Sequence, residues 1–145
     1  MDEIKDQIIN YLSRRKFMTL ATTSINGVPL THPVAYVNEG DAVYFSTSGK
    51  SRKTKNIYDN PNVAYSVYDG SEHLDEIRSI QMEGNATIVP DGDESKKVLK
   101  MLKQKFTFMS NIPTDSDDVI IKITPKVCFF SDYTKSLGHR DKVEY

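Results

Sequence analysis

The chain has a single cysteine, Cys128, and no tryptophan. A lone cysteine excludes an internal disulfide. Long apolar runs are missing as well. No segment approaches the ~20 apolar residues that span a bilayer, so no membrane association is expected. Net charge is nearly absent: 19 Lys and Arg stand against 20 Asp and Glu, for a formal charge of −1. A dedicated nucleic-acid binder usually carries a strong basic excess, so that role is not expected. The histidines, His32, His73 and His139, are far apart and in no ligand spacing, and no metal site is expected. There is no G-x-G-x-x-G dinucleotide fingerprint. Ser46, Ser48 and Ser51 lack a nucleophile elbow. The start, Met1-Asp-Glu-Ile-Lys-Asp6, is charged where a signal peptide would be apolar. A cytoplasmic location is expected.

What is present suits one soluble domain over residues 1–145, with 38% apolar and 27% charged residues. That length can bury a proper core. Ile4, Ile8 and Leu12 recur at helical spacing and predict a helix over 2–14. Strands are predicted over 17–24 and 29–37, joined at Asn26-Gly27, a strong hairpin signal. A turn at Glu39-Gly40-Asp41 leads to a third strand over 42–47. A short helix follows over 51–58, ending before Asn60-Pro61. Val63, Tyr65 and Val67 share one face of a fourth strand. A fifth runs over 76–89, with a bulge near Gly84. The apolar stripe Val98, Leu99, Leu102 and Phe106 predicts a packing helix over 93–108. The apolar centre Val119-Ile-Ile121 predicts a sixth strand over 119–130, buried on both faces. The tail over 131–145 is polar and shows no period. The expectation is a mainly β fold with flanking helices: six antiparallel strands in a closed or partly closed barrel.

One stretch carries chemistry. It is Tyr44-Phe-Ser-Thr-Ser-Gly-Lys-Ser-Arg-Lys-Thr-Lys-Asn56, a strand that breaks at Gly49 and restarts as a helix. Lys50, Arg52, Lys53 and Lys55 crowd the helix start. The first N–H groups of a helix have no partner within it and attract anions. Cations there are unfavourable unless an anion is bound. A solvated charged face is the plainer reading of such a run. Against it stand the position at the helix start and the hydroxyls of Ser46, Thr47 and Ser48. A nucleotide P-loop is excluded: Gly49-Lys50-Ser51 matches the end of that motif, but Tyr44 stands where glycine is required. Cys128, inside an apolar strand, reads as a buried and inert thiol.

Several pieces together resemble the pyridoxamine 5′-phosphate oxidase-like family of FMN-binding split barrels. They are Gly27-Val-Pro29, His32-Pro-Val-Ala-Tyr36, Val43-Tyr-Phe-Ser-Thr47, Ser51-Arg-Lys53, Asn56-Ile57 and Asn60-Pro-Asn-Val63. The resemblance spans about residues 5–130. It implies a six-stranded split β-barrel that forms a homodimer, with FMN in a groove between subunits. It implies that Arg52 and Lys53 grip the FMN phosphate, with Ser51 and Thr54 alongside. It places His32, Pro33, Val34 and Ala35 along the flavin ring, and Thr47 and Ser48 near the ribityl chain. Arg78 and Ser79 match the strand contributed by the second subunit.

The tail departs from authentic pyridoxamine phosphate oxidases, which carry a tryptophan and an Arg-x-His pair there. This chain reads Phe130-Ser-Asp-Tyr-Thr-Lys-Ser-Leu-Gly-His-Arg140, so vitamin B6 is not the expected substrate. His139 has two readings, a solvated tail residue and a lid over the flavin. His32 is the candidate for tuning the ring, against a strand histidine bonded to backbone. No catalytic residue is assigned. The resemblance implies FMN-dependent hydride or electron transfer to or from a small molecule. A non-catalytic flavin or haem carrier or sensor is the alternative, and a plain anion-binding domain is a third.

Overall fold

The structure is a computed structural model that describes residues 2–113 and 115–145. Helix α1 covers Asp2–Arg14. Its stripe works as the spacing predicts: Ile8 and Leu12 are fully buried. Strand β1 is Phe17–Thr23 and β2 is Pro29–Ala35. They pair antiparallel across a turn centred on Gly27, whose φ of 79° is left-handed backbone that glycine adopts without strain. Next come β3 over Val37–Glu39 and β4 over Ala42–Ser48. Helix α2 covers Arg52–Asp59 and β5 covers Asn62–Tyr68. Strand β6 is Arg78–Val89 and helix α3 is Asp93–Lys105. Strands β7, Asp118–Asp132, and β8, Arg140–Glu144, complete the order. Among the described residues, no helix is long and apolar enough to cross a membrane.

The sheet is antiparallel throughout, in the order β2-β1-β5-β6-β7-β4-β3, with β8 beside β7. The two ends of that path, β2 and β3, are consecutive in the chain and separated only by Tyr36. The sheet therefore curls until its edges meet at one residue, which makes a split barrel. Tyr36 is fully buried, and its hydroxyl donates to the Leu12 carbonyl at 2.6 Å. That bond ties the closure point to α1.

The strand count differs from six. The segment expected as one strand over 29–37 breaks at Tyr36, because β2 follows β1 while β3 turns to follow β4. The tail expected to be irregular forms β8, with Val143 buried opposite Cys128. The helix expected to reach residue 108 stops at Lys105, and Thr107–Asn111 forms a short 3-10 turn. The bulge near Gly84 is present, as a register shift between Glu83 and Gly84. A Cβ at Gly84 would lie 2.6 Å from Ile123 Cγ2, so the close approach of β7 requires glycine there.

Two apolar clusters fill the fold. The barrel interior holds Leu20, Phe45, Tyr65, Ile80, Met82 and Ile121, among others. Outside it, α3 covers β3, β4 and the end of β6 through Val98, Leu102, Phe106, Tyr44, Val89 and Ile120. Ile120 and Ile121 thus bury on opposite faces of β7, as the unbroken apolar run predicts. Among the described residues, no helix covers the outer face of β1, β2, β5 and the first half of β6. Register places Pro33, Thr19, Ser66, Gln81 and Phe129 in one row across it.

Candidate functional site

Strand β4 ends at Ser48, and the chain turns sharply into α2. Ser51 is the N-cap of α2, and its Oγ accepts from the Thr54 N–H at 3.2 Å. The Thr54 hydroxyl is fully buried and donates to the Ser48 carbonyl at 2.8 Å. That carbonyl also accepts from the Ser51 N–H at 3.1 Å. The first helical hydrogen bond runs from Lys55 N–H to the Ser51 carbonyl. Two N–H groups at the helix start, those of Arg52 and Lys53, are left without intrahelical partners.

The side chains agree with that polarity. The first turn of α2 contains no acidic residue. Among the described residues, neither Arg52 nor Lys53 forms an ion pair. Partial burial holds the Lys53 ammonium below its ordinary range. Two cations in the first turn of a helix are unfavourable beside its positive end unless an anion is bound. The donor set fits a phosphate: two backbone N–H groups, a guanidinium and an ammonium.

Lys50 behaves differently from the rest of the basic run. Its Nζ lies 2.9 Å from Asp117 Oδ2, and Gly49 N–H donates to the Asp117 carbonyl at 2.7 Å. A Cβ on Gly49 would meet that carbonyl at 2.6 Å. Lys50 thus straps the turn to the acidic loop before β7. The sequence shows both charges but gives no signal that they meet, because they lie 67 positions apart.

Helix α2 is fixed to the barrel by Asn56, whose amide donates to Thr22 Oγ1 at 3.0 Å in a buried contact, and by Ile57 in the core. The helix start is therefore held against the β1–β2 hairpin. The split lies beside it. Val37 pairs with Tyr44, and extending that register would set Ala35 opposite Ser46 and Pro33 opposite Ser48. The ladder stops at Val37, so β2 and β4 diverge there. His32, Pro33, Val34 and Ala35 line one lip, and Thr47 and Ser48 the other. Pro29 and Pro33 sit on β2, an edge strand, where a missing N–H costs no ladder bond.

Side-chain directions divide the lip residues. Val34 is buried in the barrel, Ala35 is half-buried, and His32 and Pro33 are exposed. The His32 ring lies against its own neighbour, with Nδ1 2.8 Å from the Pro33 carbonyl. Arg78 and Ser79 are not brought to this site within one chain. Ser48 pairs with Asp118 near the Val89 end of the β6–β7 ladder, whereas Arg78 pairs with Asp132 at the opposite end. There the Arg78 carbonyl accepts from Tyr11 Oη at 2.8 Å, and Ser79 Oγ accepts from Gln81 Nε2 at 2.5 Å.

The tail over 134–140 is largely exposed, with His139 half-buried. His139 Nε2 lies 3.1 Å from Asp141 Oδ2, and the Arg140 guanidinium stacks 4.6 Å from the Phe129 ring centroid. Cys128 is fully buried, and burial pushes its thiol up to about 12, so it is no nucleophile.

The sequence model of the family described as Pyridoxamine 5'-phosphate oxidase matches residues 4–132. No curated protein matches the chain. Among solved structures, a heme binding protein from Mycobacterium smegmatis superposes with TM-score 0.79 at 17% identity, over 97% of this chain and 56% of that one. ChuZ from Campylobacter jejuni superposes with TM-score 0.84 at 16% identity, over 99% of this chain and 60% of that one. An FAD-binding protein from Mesorhizobium loti superposes with TM-score 0.70 at 17% identity, over 84% of this chain and 89% of that one. The chain thus spans less than two thirds of the first two relatives. At these identities the likeness is one of fold.

Proposed function

The chain belongs to the pyridoxamine 5′-phosphate oxidase family, and from that premise we propose that it is an FMN-binding flavoprotein, an oxidoreductase moving hydride or electrons to or from a small molecule. The observation that carries this reading is the juxtaposition of an unneutralised cationic helix start with the split between β2 and β4. Arg52, Lys53 and the α2 N–H groups would hold the phosphate, with Ser51 and Thr54 keeping the turn in shape. Thr47 and Ser48 would flank the ribityl chain. The unpaired edge of β2 over His32–Ala35 would meet the polar rim of the ring. Bound FMN supplies the hydride- and electron-accepting chemistry; the protein residues position it and shield it from water.

The proposed assembly is a homodimer across the uncovered outer face. Two observations support it: Pro33 lies in that face, and Arg78 and Ser79 stand too far from the α2 start to serve the same chain's cofactor. A lone buried thiol is in keeping with a cytoplasmic location. The heme binding relative supports a second reading, a non-catalytic flavin or haem carrier or sensor on the same scaffold.

Visible spectroscopy of the purified full chain separates these readings. A flavin spectrum that survives gel filtration is expected after incubation with FMN. Arg52→Ala combined with Lys53→Ala is expected to abolish that retention. A colourless wild-type protein after incubation would overturn the flavin assignment, and retention by the double variant would overturn the phosphate site. Anaerobic bleaching by NADH or NADPH then favours the enzyme, and a Soret band with haem but no retained FMN favours the carrier.

A further inference from the structure

The groove between the β1–β2 hairpin and the side of α2 has no part in the site described so far. It is a concavity of about 310 Å³, at the low end of ligand cavities. Its most buried lining residue is Asn56, 9% exposed. The Asn56 amide donates to Thr22 Oγ1, and its Oδ1 accepts from no group among the described residues. One wall is α2, which contributes Arg52, Lys55 and Asp59. The other wall is the hairpin, with Ile25 and Val28 at its rim, 75% and 62% exposed.

Three features set this groove apart from an ordinary solvated face. Lys55 and Asp59 stand four apart on α2, a spacing at which opposite charges commonly pair. Among the described residues they do not, and Arg52 has no carboxylate partner either. The groove therefore holds two free cations and a free carboxylate side by side. An amide oxygen in so buried a residue needs a donor, and the protein offers it none. Two large apolar side chains stand in solvent over the same groove.

Each feature fits one part of a single ligand. Arg52 and Lys55 suit a phosphate. Asn56 Oδ1 and the Asp59 carboxylate only accept, so they need hydroxyls and an amino group. Ile25 and Val28 would cover a planar ring. Among amino-bearing bases, adenine carries no carbonyl oxygen to oppose those acceptors. We propose that this groove binds the adenosine 5′-phosphate group of a nucleotide. Arg52 is the first residue of α2, so it borders both this groove and the helix start assigned to the flavin phosphate. Two sources supply the same chemistry: an adenylate joined to the flavin, as in FAD, and a free adenine nucleotide. The joined form rests on the flavin reading; adenylate binding does not.

The test is NMR of the labelled full chain titrated with AMP at constant ionic strength. Saturable shifts are expected at the Ile25 and Asn26 amides and at the Asn56 side-chain amide. Lys55→Met is expected to weaken AMP about tenfold, the loss of one charge-assisted bond. Lys55→Arg, which keeps the charge, should bind within about threefold of wild type. Uridine monophosphate, whose base has carbonyl oxygens and no amine, should bind about tenfold more weakly than AMP, and Asp59→Ala should narrow that gap to about threefold. Gel filtration with FAD and with FMN then identifies the source. Tighter retention of FAD, weakened by Lys55→Met while FMN retention is unchanged, makes the adenylate the cofactor's own. Saturable AMP shifts with FAD held no tighter than FMN make it a free nucleotide. No saturable shift with AMP, equal shifts with inorganic phosphate alone, uridine monophosphate bound as tightly as AMP, or equal losses in the Met and Arg variants would overturn the groove. A protein that takes up neither flavin yet keeps the AMP shifts would remove the joined form and leave the nucleotide site standing.

Discussion

Thr54 decides the shape of the proposed phosphate cradle at the scale of one residue. It is fully buried, and its hydroxyl bonds the Ser48 carbonyl at 2.8 Å and meets Ser51 Oγ at 2.8 Å. Valine fills the same space without the hydroxyl. Thr54→Val is expected to destabilise the fold by ~1–3 kcal/mol through the lost buried hydrogen bonds. Urea unfolding measures this, and Thr54→Ser should recover most of it; equal stability of the Val variant would mean that the hydroxyl is idle. Gly49 offers a sharper test, since a Cβ there would sit 2.6 Å from the Asp117 carbonyl, a backbone atom that cannot swing aside. Gly49→Ala is expected to cost ~1–3 kcal/mol by overpacking. It should also loosen FMN retention, because the turn that aims α2 must shift. Unaltered retention in a destabilised Gly49→Ala protein would separate the turn from the cradle. The Ser51-Arg-Lys53 pattern was legible in the sequence, and so was the helix start, because both are local. Lys50–Asp117 and Thr22–Asn56 were not legible: each joins residues whose meeting depends on how β1, β4 and β7 are arranged.

Strand β8 sets the scale of the element. Its alternation is weak, since Arg140, Lys142 and Glu144 are exposed charges and Val143 alone enters the core. A five-residue strand with one apolar inward residue carries almost no periodic signal, which is why the tail read as irregular. Pairing with β7 supplies what the pattern lacks. Val143→Asp is expected to destabilise by ~2–4 kcal/mol, as a charge is forced into the barrel interior. Loss of protection of the Cys128 and Phe130 amides in hydrogen exchange would confirm that β8 guards that edge; unchanged protection would make the tail an ornament. The split of the second strand at Tyr36 was equally hidden. Residues 29–37 read as one extended run in the sequence, and only the tilt needed to close the sheet makes β2 and β3 choose different partners. The helices were legible because four-residue apolar spacing is a local property. The end of α3 was not, because Phe106 continues the stripe while already outside the helix.

The molecule as a whole has a charge balance near zero but an uneven load of buried acids. Burial pushes Tyr11 up to about 12 and Cys128 up to about 12, and raises Tyr36, Tyr44 and Tyr65 well above their ordinary value. A group whose folded value is raised stabilises the fold fully below its unfolded value, and that contribution fades as pH climbs toward the folded one. Lys105 works the other way: it is held down to about 8, so the fold gains as pH rises above that point. Lys53 is held down as well, but these two lysines are outnumbered by the raised acids, and stability to urea is expected to fall steeply above pH ~9, where the unfolded thiol and phenols begin to ionise. A flat profile to pH ~11 would contradict the burial of these groups. The outer face carries the remaining prediction at this scale. Thr31, Ala21, Ala64 and Glu83 form a cross-strand row beside the row containing Pro33, and together they border a concavity of about 350 Å³. Small side chains there let another surface approach the backbone closely, and the partner proposed is a second copy. Ala64→Arg places a long charged side chain in the middle of that row without touching the barrel interior, since Ala64 alternates with the buried Val63 and Tyr65. Light scattering is expected to report a dimer for the wild type and a monomer for the variant, each with the same far-ultraviolet spectrum. If the cofactor lies between subunits, the monomer must also release FMN although Arg52 and Lys53 are intact. A monomeric variant that still retains FMN would place the whole site within one chain and leave Arg78 and Ser79 with no part in it. A variant that stays dimeric would move the interface to another face.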